Sequence, residues 1–198
     1  MNEFNKLKIY HIKKLKEAKE KYLADQPIYY ILDFINSLDF FFTTSSCAGR
    51  IILLKIPKSG KKSEAEFLFK SHYYVNFYYI WNKLLDIYKN YDEKIYFKQE
   101  PFILHVSSKN IEKAYELLNI ARKSGFKHSG IFLIDDKRVM VEIVGNEKIE
   151  TIVSKNKKLL VSKEYFYNLV REANEKLKNV RKRIDIFYKN LLSYYITI

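Results

Sequence analysis

KIYFKQEPFILHVSSKNIEKAYELLNIARKSGFKHSGIFLIDDKRVMVEIV, from Lys94 to Val144, holds the order of elements that decides the fold. Lys94 to Val106 reads as a strand, rich in aromatic and branched residues. Lys109 to Lys123 has helical spacing, with Ser107 or Ser108 as the expected N-cap. Gly125 stands just past its end, where a glycine closes a helix. Ser129 to Ile134 and Arg138 to Val144 then form a hairpin around Asp135-Asp136-Lys137. Strand, helix, turn and hairpin in this order predict an α+β fold with a mixed or antiparallel sheet.

Working outward, Ile149 to Val153 adds a short edge strand. Towards the N-terminus, Val75 to Tyr88 reads as a helix, with Trp81, Leu84, Leu85 and Tyr88 on one side. Ile51 to Ile56 and Ala65 to Lys70 make a first hairpin around the basic turn Pro57 to Lys62. Phe40 to Thr44 is a strand, and Ser45 to Gly49 reads as a loop. Two helices come first, Phe4 to Ala24 and Ile28 to Leu38, separated at Pro27. At the other end, Ser162 caps a long helix that runs to about Tyr194. Phe166, Leu169, Val170, Ala173, Leu177, Val180, Ile184, Phe187 and Leu191 mark its apolar face. Helices are thus expected to flank the sheet. No Pro/Gly/Ser-rich linker interrupts the chain, so residues 1–198 are expected to form one domain.

The formal charge is +13, with a pI near 9.5. Such an excess attracts a polyanion through neutralised phosphates and released counterions. It is concentrated near the C-terminus, where Ser154 to Asn190 holds 11 Lys/Arg against 4 acids. Arg171, Lys178, Arg181, Lys182 and Lys189 lie off the apolar face of the long helix. They form either a solvated face or a positive ridge beside bound RNA. No apolar run approaches the roughly 20 residues of a membrane span, and the charged N-terminus does not resemble a signal peptide. The expectation is a cytoplasmic protein with no membrane partner. One cysteine excludes an internal disulfide. Without a CxxC pair, and with four scattered histidines, no metal site is expected.

Ser45-Ser46-Cys47-Ala48-Gly49-Arg50 is a compact polar patch between apolar runs. Small residues let the backbone approach a ligand, and Gly49 can take a positive φ. Backbone N–H groups and two hydroxyls suit a carboxylate or phosphate, and Arg50 offers a bidentate partner for either. Cys47 has no adjacent histidine and reads as a small packing residue. Glu100 and His105 share a strand; an odd separation places them on opposite sides if alternation is regular. Among 17 Tyr and 14 Phe, Phe40 to Phe42 and Tyr73-Tyr74 are candidates to stack on unpaired bases.

Four stretches in order carry a resemblance. They are Phe41 to Arg50; Glu100 to Val106; Ser124-Gly125-Phe126 through Ser129-Gly130-Ile131; and Leu160 to Tyr165 with Ala173-Asn174, Lys176, Arg181 to Ile184 and Phe187-Tyr188. Together the chain resembles the tRNA wybutosine-synthesising protein 3 family, over roughly Leu38 to Leu191. The resemblance implies an S-adenosylmethionine-dependent methyltransferase. On the same resemblance, the methyl group is expected to go to N4 of the aminocarboxypropylated demethylwyosine in phenylalanine tRNA. It also implies a fold unlike the Rossmann-type methyltransferases, in keeping with the absence of a G-x-G-x-G turn. On this resemblance Ser45, Ser46, Cys47, Gly49, Arg50, His72, Ser129 and Gly130 bind cofactor or substrate, and Glu100 or His105 handles the proton. A non-catalytic tRNA-binding module is the competing class. Phe67 stands where members often carry Trp, and Ile143-Val144-Gly145 where they often carry two hydroxyl residues.

Overall fold

The apolar face of the C-terminal helix sets the plan. In the computed structural model, which describes residues 2–59 and 61–196, this helix, α5 (Lys163–Ile196), has 34 residues. That is roughly 50 Å at 1.5 Å per residue. The Ser162 hydroxyl accepts the Tyr165 N–H at 3.1 Å, capping the first turn as its sequence predicts. Phe166, Val170, Ala173 and Leu177 enter one hydrophobic core. Val180, Ile184, Phe187 and Leu191 enter another. Each core belongs to one of two compact units. The first comprises the chain up to Ala48, Phe102–Asn146 and the chain from Val180; the second comprises Gly49–Pro101 and Glu147–Asn179.

In the first unit, parts of β1 (Phe41–Ile56) and β3 (Lys94–Ser108) join β5 (Val139–Val144) and β4 (Gly130–Ile134) in the order β1–β3–β5–β4. The β3–β5 and β4–β5 ladders are antiparallel. The helices are α1 (Glu3–Glu20), α2 (Tyr29–Ser37), α4 (Ile111–Lys123) and the end of α5. α1 stops four residues short of the expected Ala24, because the chain turns at Tyr22 with φ 55°. Pro27 lies in a single 3₁₀ turn, Gln26–Ile28, before α2. The cap of α4 is Asn110, which accepts the Lys113 N–H at 2.9 Å. Ser107 and Ser108 are not the cap; β3 runs on through them and buries both. Gly125 ends α4 at φ 98°. Its N–H reaches the Arg122 carbonyl, and the Phe126 N–H reaches that of Ala121, both at 3.0 Å. This pairing needs the left-handed residue.

In the second unit, β2 (Glu66–Ser71), the rest of β1 and β3, β6 (Ile149–Lys155) and β7 (Lys158–Leu159) take the order β2–β1–β3–β6–β7. The β1–β2, β3–β6 and β6–β7 ladders are antiparallel as well. β6 lies between β3 and β7, so it is not the edge strand its short sequence suggested. α3 (Phe77–Ile87) packs Ile80, Trp81 and Leu84 into this core. Phe166 is fully buried there, 5.5 Å from the Trp81 ring and 5.3 Å from that of Phe97. Burying one such ring stabilises by roughly 1.5–3 kcal/mol. Asn174, on α5, receives the Val75 N–H and donates to the Val75 carbonyl, both at 2.9 Å.

The fold is α+β, with an antiparallel sheet and a long C-terminal helix, as the order of elements predicts. Two local expectations change. Ser45 to Gly49 is not a loop: β1 continues through it for 16 residues. The neighbouring strand β3 and long-range side chains together satisfy backbone groups that a loop would leave to water, the Ala48 N–H going to Asp25 and its carbonyl to Arg181, and small side chains do not oppose it. The second change is in β3. Ile95, Phe97 and Gln99 are buried, and then Phe102, Leu104 and Val106. The alternation changes phase at Glu100-Pro101, so Glu100 and His105 both fall in the partly exposed phase. Proline cannot donate to a ladder, which explains a break there. The expected basic turn includes Gly60, which lies outside the described residues.

Gly125 gives a direct test of the α4 exit. A Cβ there would lie 3.1 Å from Arg183 Cδ and Nε, in a backbone conformation that L side chains resist. Gly125→Ala should destabilise the protein by about 1–2 kcal/mol, read as a lowered denaturant midpoint. An unchanged midpoint would refute the left-handed cap.

Candidate active site

Three strands of the first unit bring together Ser45, His105 and Glu142. The β3–β5 register sets His105 directly opposite Glu142. His105 Nε2 lies 2.9 Å from Glu142 Oε2, and His105 Nδ1 lies 2.9 Å from Ser45 Oγ. With Nε2–H donating to the carboxylate, a neutral imidazole presents Nδ1 as acceptor for the Ser45 hydroxyl. The result is a line of hydrogen bonds from an exposed serine through histidine to a carboxylate. The Phe132 ring lies beside His105, with centroids 5.0 Å apart and planes at 45°.

Ser45 also lines a cavity of about 510 Å³ between α1 and β1, with Ser46, Thr43 and Thr44. From α1 come His11, Lys14 and Glu17, and Lys21 follows at its C-cap. The volume falls within the range of small-molecule sites. His11 stacks on Phe42, with centroids 5.1 Å apart and planes 21° apart. Burial holds its pKa below the ordinary 6.5, and repulsion from Arg138 and Lys14 adds to this. The β1 backbone beneath is pinned at Ala48. Its N–H donates to Asp25 Oδ2 at 2.7 Å, and its carbonyl accepts from the Arg181 guanidinium. Cys47 is half-buried.

In the second unit, Arg50 Nε donates to Glu100 Oε2 at 2.5 Å. The Arg50 guanidinium lies 4.9 Å over the Phe67 ring, so the phenylalanine keeps an aromatic face for a cation. His72 Nδ1 donates to the Gly49 carbonyl at 3.1 Å. Gly49 has φ 81°, the conformation for which its residue type was singled out.

The family model for methyltransferase TYW3 matches residues 5–193. The chain belongs to the TYW3 methyltransferase family. A Thermococcus sibiricus relative, named tRNA(Phe) 7-((3-amino-3-carboxypropyl)-4-demethylwyosine(37)-N(4))-methyltransferase, is 37% identical over 87% of this chain and 86% of its own. The human tRNA wybutosine-synthesizing protein 3 homolog is 32% identical over 96% of this chain and 72% of its own. A solved structure of a Pyrococcus horikoshii protein superposes with a TM-score of 0.89 at 31% identity, covering 95% of each chain.

Among the other residues singled out in this TYW3 family member, Ser129 is buried, and its hydroxyl accepts the Val144 N–H at 3.2 Å. It ties β4 to β5. Gly130 sits opposite Glu142 in the β4–β5 ladder. Arg171, Lys178, Lys182 and Lys189 are exposed on α5, whereas Arg181 is half-buried. Glu142, Asp25 and Phe132 have no isolated signal in the sequence. A carboxylate in a hairpin is ordinary until the register places it against a histidine. The hydroxyls around Ser45 were legible as a patch, but the cationic wall supplied by α1 was not.

Folding lowers the proton affinity of His11, so its stack on Phe42 contributes fully above pH 6.5. That contribution is lost as pH falls through the lowered value. Thermal unfolding should show a midpoint that falls on acidification through this window. His11→Phe should flatten part of the fall. A variant with the wild-type pH dependence would refute this role.

Proposed function

We propose that the chain transfers a methyl group from S-adenosylmethionine to N4 of aminocarboxypropyl-demethylwyosine in phenylalanine tRNA, acting in the cytoplasm. The observation that carries the chemistry is the Ser45–His105–Glu142 line at the rim of a ligand-sized cavity. Family membership supplies the reaction class, and the names of the relatives supply the substrate.

The cavity residues suit the cofactor's amino-acid end. Lys14 and Lys21 would take its carboxylate, Glu17 its ammonium group, and the hydroxyls of Thr43 to Ser46 its remaining polar atoms. When bound, S-adenosylmethionine supplies an electrophilic methyl on a sulfonium. The ring nitrogen that accepts the methyl gives up one proton. Ser45 is placed to receive a hydrogen bond from that N–H, with His105 Nδ1 taking the serine proton. Glu142 holds the tautomer that leaves Nδ1 available and stabilises the imidazolium that forms. Glu100 is the weaker candidate for this role, since its carboxylate already accepts from Arg50. Cys47 needs no covalent role, because ring-nitrogen methylation proceeds by direct transfer.

The tRNA body is assigned to the exposed cations of α5. Arg171, Lys178, Lys182 and Lys189 follow spacings of seven, four and seven residues, which line them up along the helix. Arg181 is better assigned to holding β1, given its bond to the Ala48 carbonyl.

Incubation with precursor tRNA and labelled S-adenosylmethionine should add one methyl mass to the hypermodified guanosine. No mass gain would sink the catalytic reading. His105→Ala should lower kcat by roughly 10²–10⁴-fold, the usual scale of general acid–base catalysis, with cofactor affinity retained. Activity at the wild-type level would remove His105 from the chemistry. Replacing Lys178, Lys182 and Lys189 by Gln should weaken tRNA binding and flatten its salt dependence, by a log–log slope of about one per lysine. An unchanged slope would place the RNA elsewhere.

A further inference from the structure

The hydrogen-bonded line continues across the sheet of the first unit. The registers set His105 opposite Glu142, and Glu142 opposite Gly130. Directly opposed residues of neighbouring strands share a face, so His105, Glu142 and Gly130 form one row. The row ends in free space: a Cβ added at Gly130 would meet no heavy atom within 4 Å. The Glu142 side chain beside it is 42% exposed.

Two residues along β4, the ladder slips. Ile131 pairs with Val141 and Leu133 pairs with Met140, which leaves Phe132 as an extra residue. A bulge of this kind bends the strand and re-aims a side chain, and bulges are frequent beside active sites. Here the Phe132 ring lies against His105 with 54% of the residue still in solvent. β4 is the terminal strand of this unit's sheet. A half-exposed phenylalanine there is a liability for edge pairing, with little burial to offset it.

We propose that Phe132 and Gly130 form the seat of the modified base: the ring of Phe132 stacks on the planar tricycle, and the missing side chain at 130 makes room for it. Three independent features converge on this: an exposed ring at a slip of the ladder, open space at the neighbouring glycine, and the polar row that ends there. A tricyclic base is broad, flat and edged with hydrogen-bonding atoms. It can lie on an aromatic face while its edge meets Ser45 and Glu142, the two partners of His105. The proposal rests on the reading that the chain methylates a tRNA base, and it makes Phe132 a substrate-positioning residue.

The test compares Phe132→Ala, Phe132→Leu, Phe132→Trp and Gly130→Val by steady-state kinetics on precursor tRNA. Calorimetry with S-adenosylmethionine and thermal unfolding accompany each variant. Loss of a base–aromatic stack should raise KM for tRNA roughly 5- to 150-fold in the Ala and Leu variants. Phe132→Trp should stay near wild type, and Gly130→Val should behave like Phe132→Ala. Cofactor affinity should be unchanged throughout. A Leu variant equal to wild type would overturn the proposal, because bulk without a ring would then suffice. So would a loss confined to kcat, which would make Phe132 a mere support for His105. A concentration-dependent dimer that the Ala variant abolishes, with unchanged kinetics, would make this edge a protein interface instead. If the wild-type protein transfers no methyl group, the proposed function fails and the seat fails with it. An active wild type with unaffected variants rejects the seat alone.

Discussion

Burial of the apolar face of α5 is the constraint on which the rest depends. One helix delivers Phe166, Val170, Ala173 and Leu177 to one core and Val180, Ile184, Phe187 and Leu191 to another. Its repeat of three and four residues is what lets a single element serve both. In each unit the strands then need only bring an apolar face to their own part of that helix. In the first unit β3 offers Phe102, Leu104 and Val106; in the second it offers Ile95 and Phe97. The phase change at Glu100-Pro101 is what allows one strand to present both sets.

That burial leaves the polar phase of the strands open to solvent, and the candidate chemistry lies there. Ser45, His105 and Glu142 sit in partly or fully exposed positions of three different strands. Strand pairing holds their backbones, so their side chains meet with little remaining freedom. A proton-handling line built this way is pre-positioned by the ladder. The same ladder places Gly130 beside Glu142. The β4–β5 ladder slips at Phe132, whose ring lies against His105. Among the described residues, no helix is long and apolar enough to cross a membrane.

Much of this was legible in the sequence where a local pattern carried the signal. The apolar positions of α5, its Ser162 cap, the Gly125 exit and both hairpins follow from short-range rules of spacing and backbone freedom. The polar patch at Ser45 to Arg50 was visible as composition, yet its local preference for a loop gave way to pairing with β3. The serines before α4 were plausible caps in isolation, but continuation of the strand buried them and passed the role to Asn110. Both errors have one cause: a long strand gains from its neighbour what a short-range reading cannot weigh.

The sequence by itself determined the α+β class, the helix and hairpin order, the basic C-terminal helix and, through four ordered stretches, the family. Those properties depend on periodicity, caps and residue identity, which are written along the chain. Only the tertiary structure decided which polar groups meet. Glu142 faces His105 because of strand register, and Asp25 and Arg181 hold Ala48 across 23 and 133 residues of sequence. Phe132 lies against His105 at a point where the β4–β5 ladder slips by one residue. Register and bulges arise from the competition of whole faces for burial, and no single stretch of sequence contains that competition.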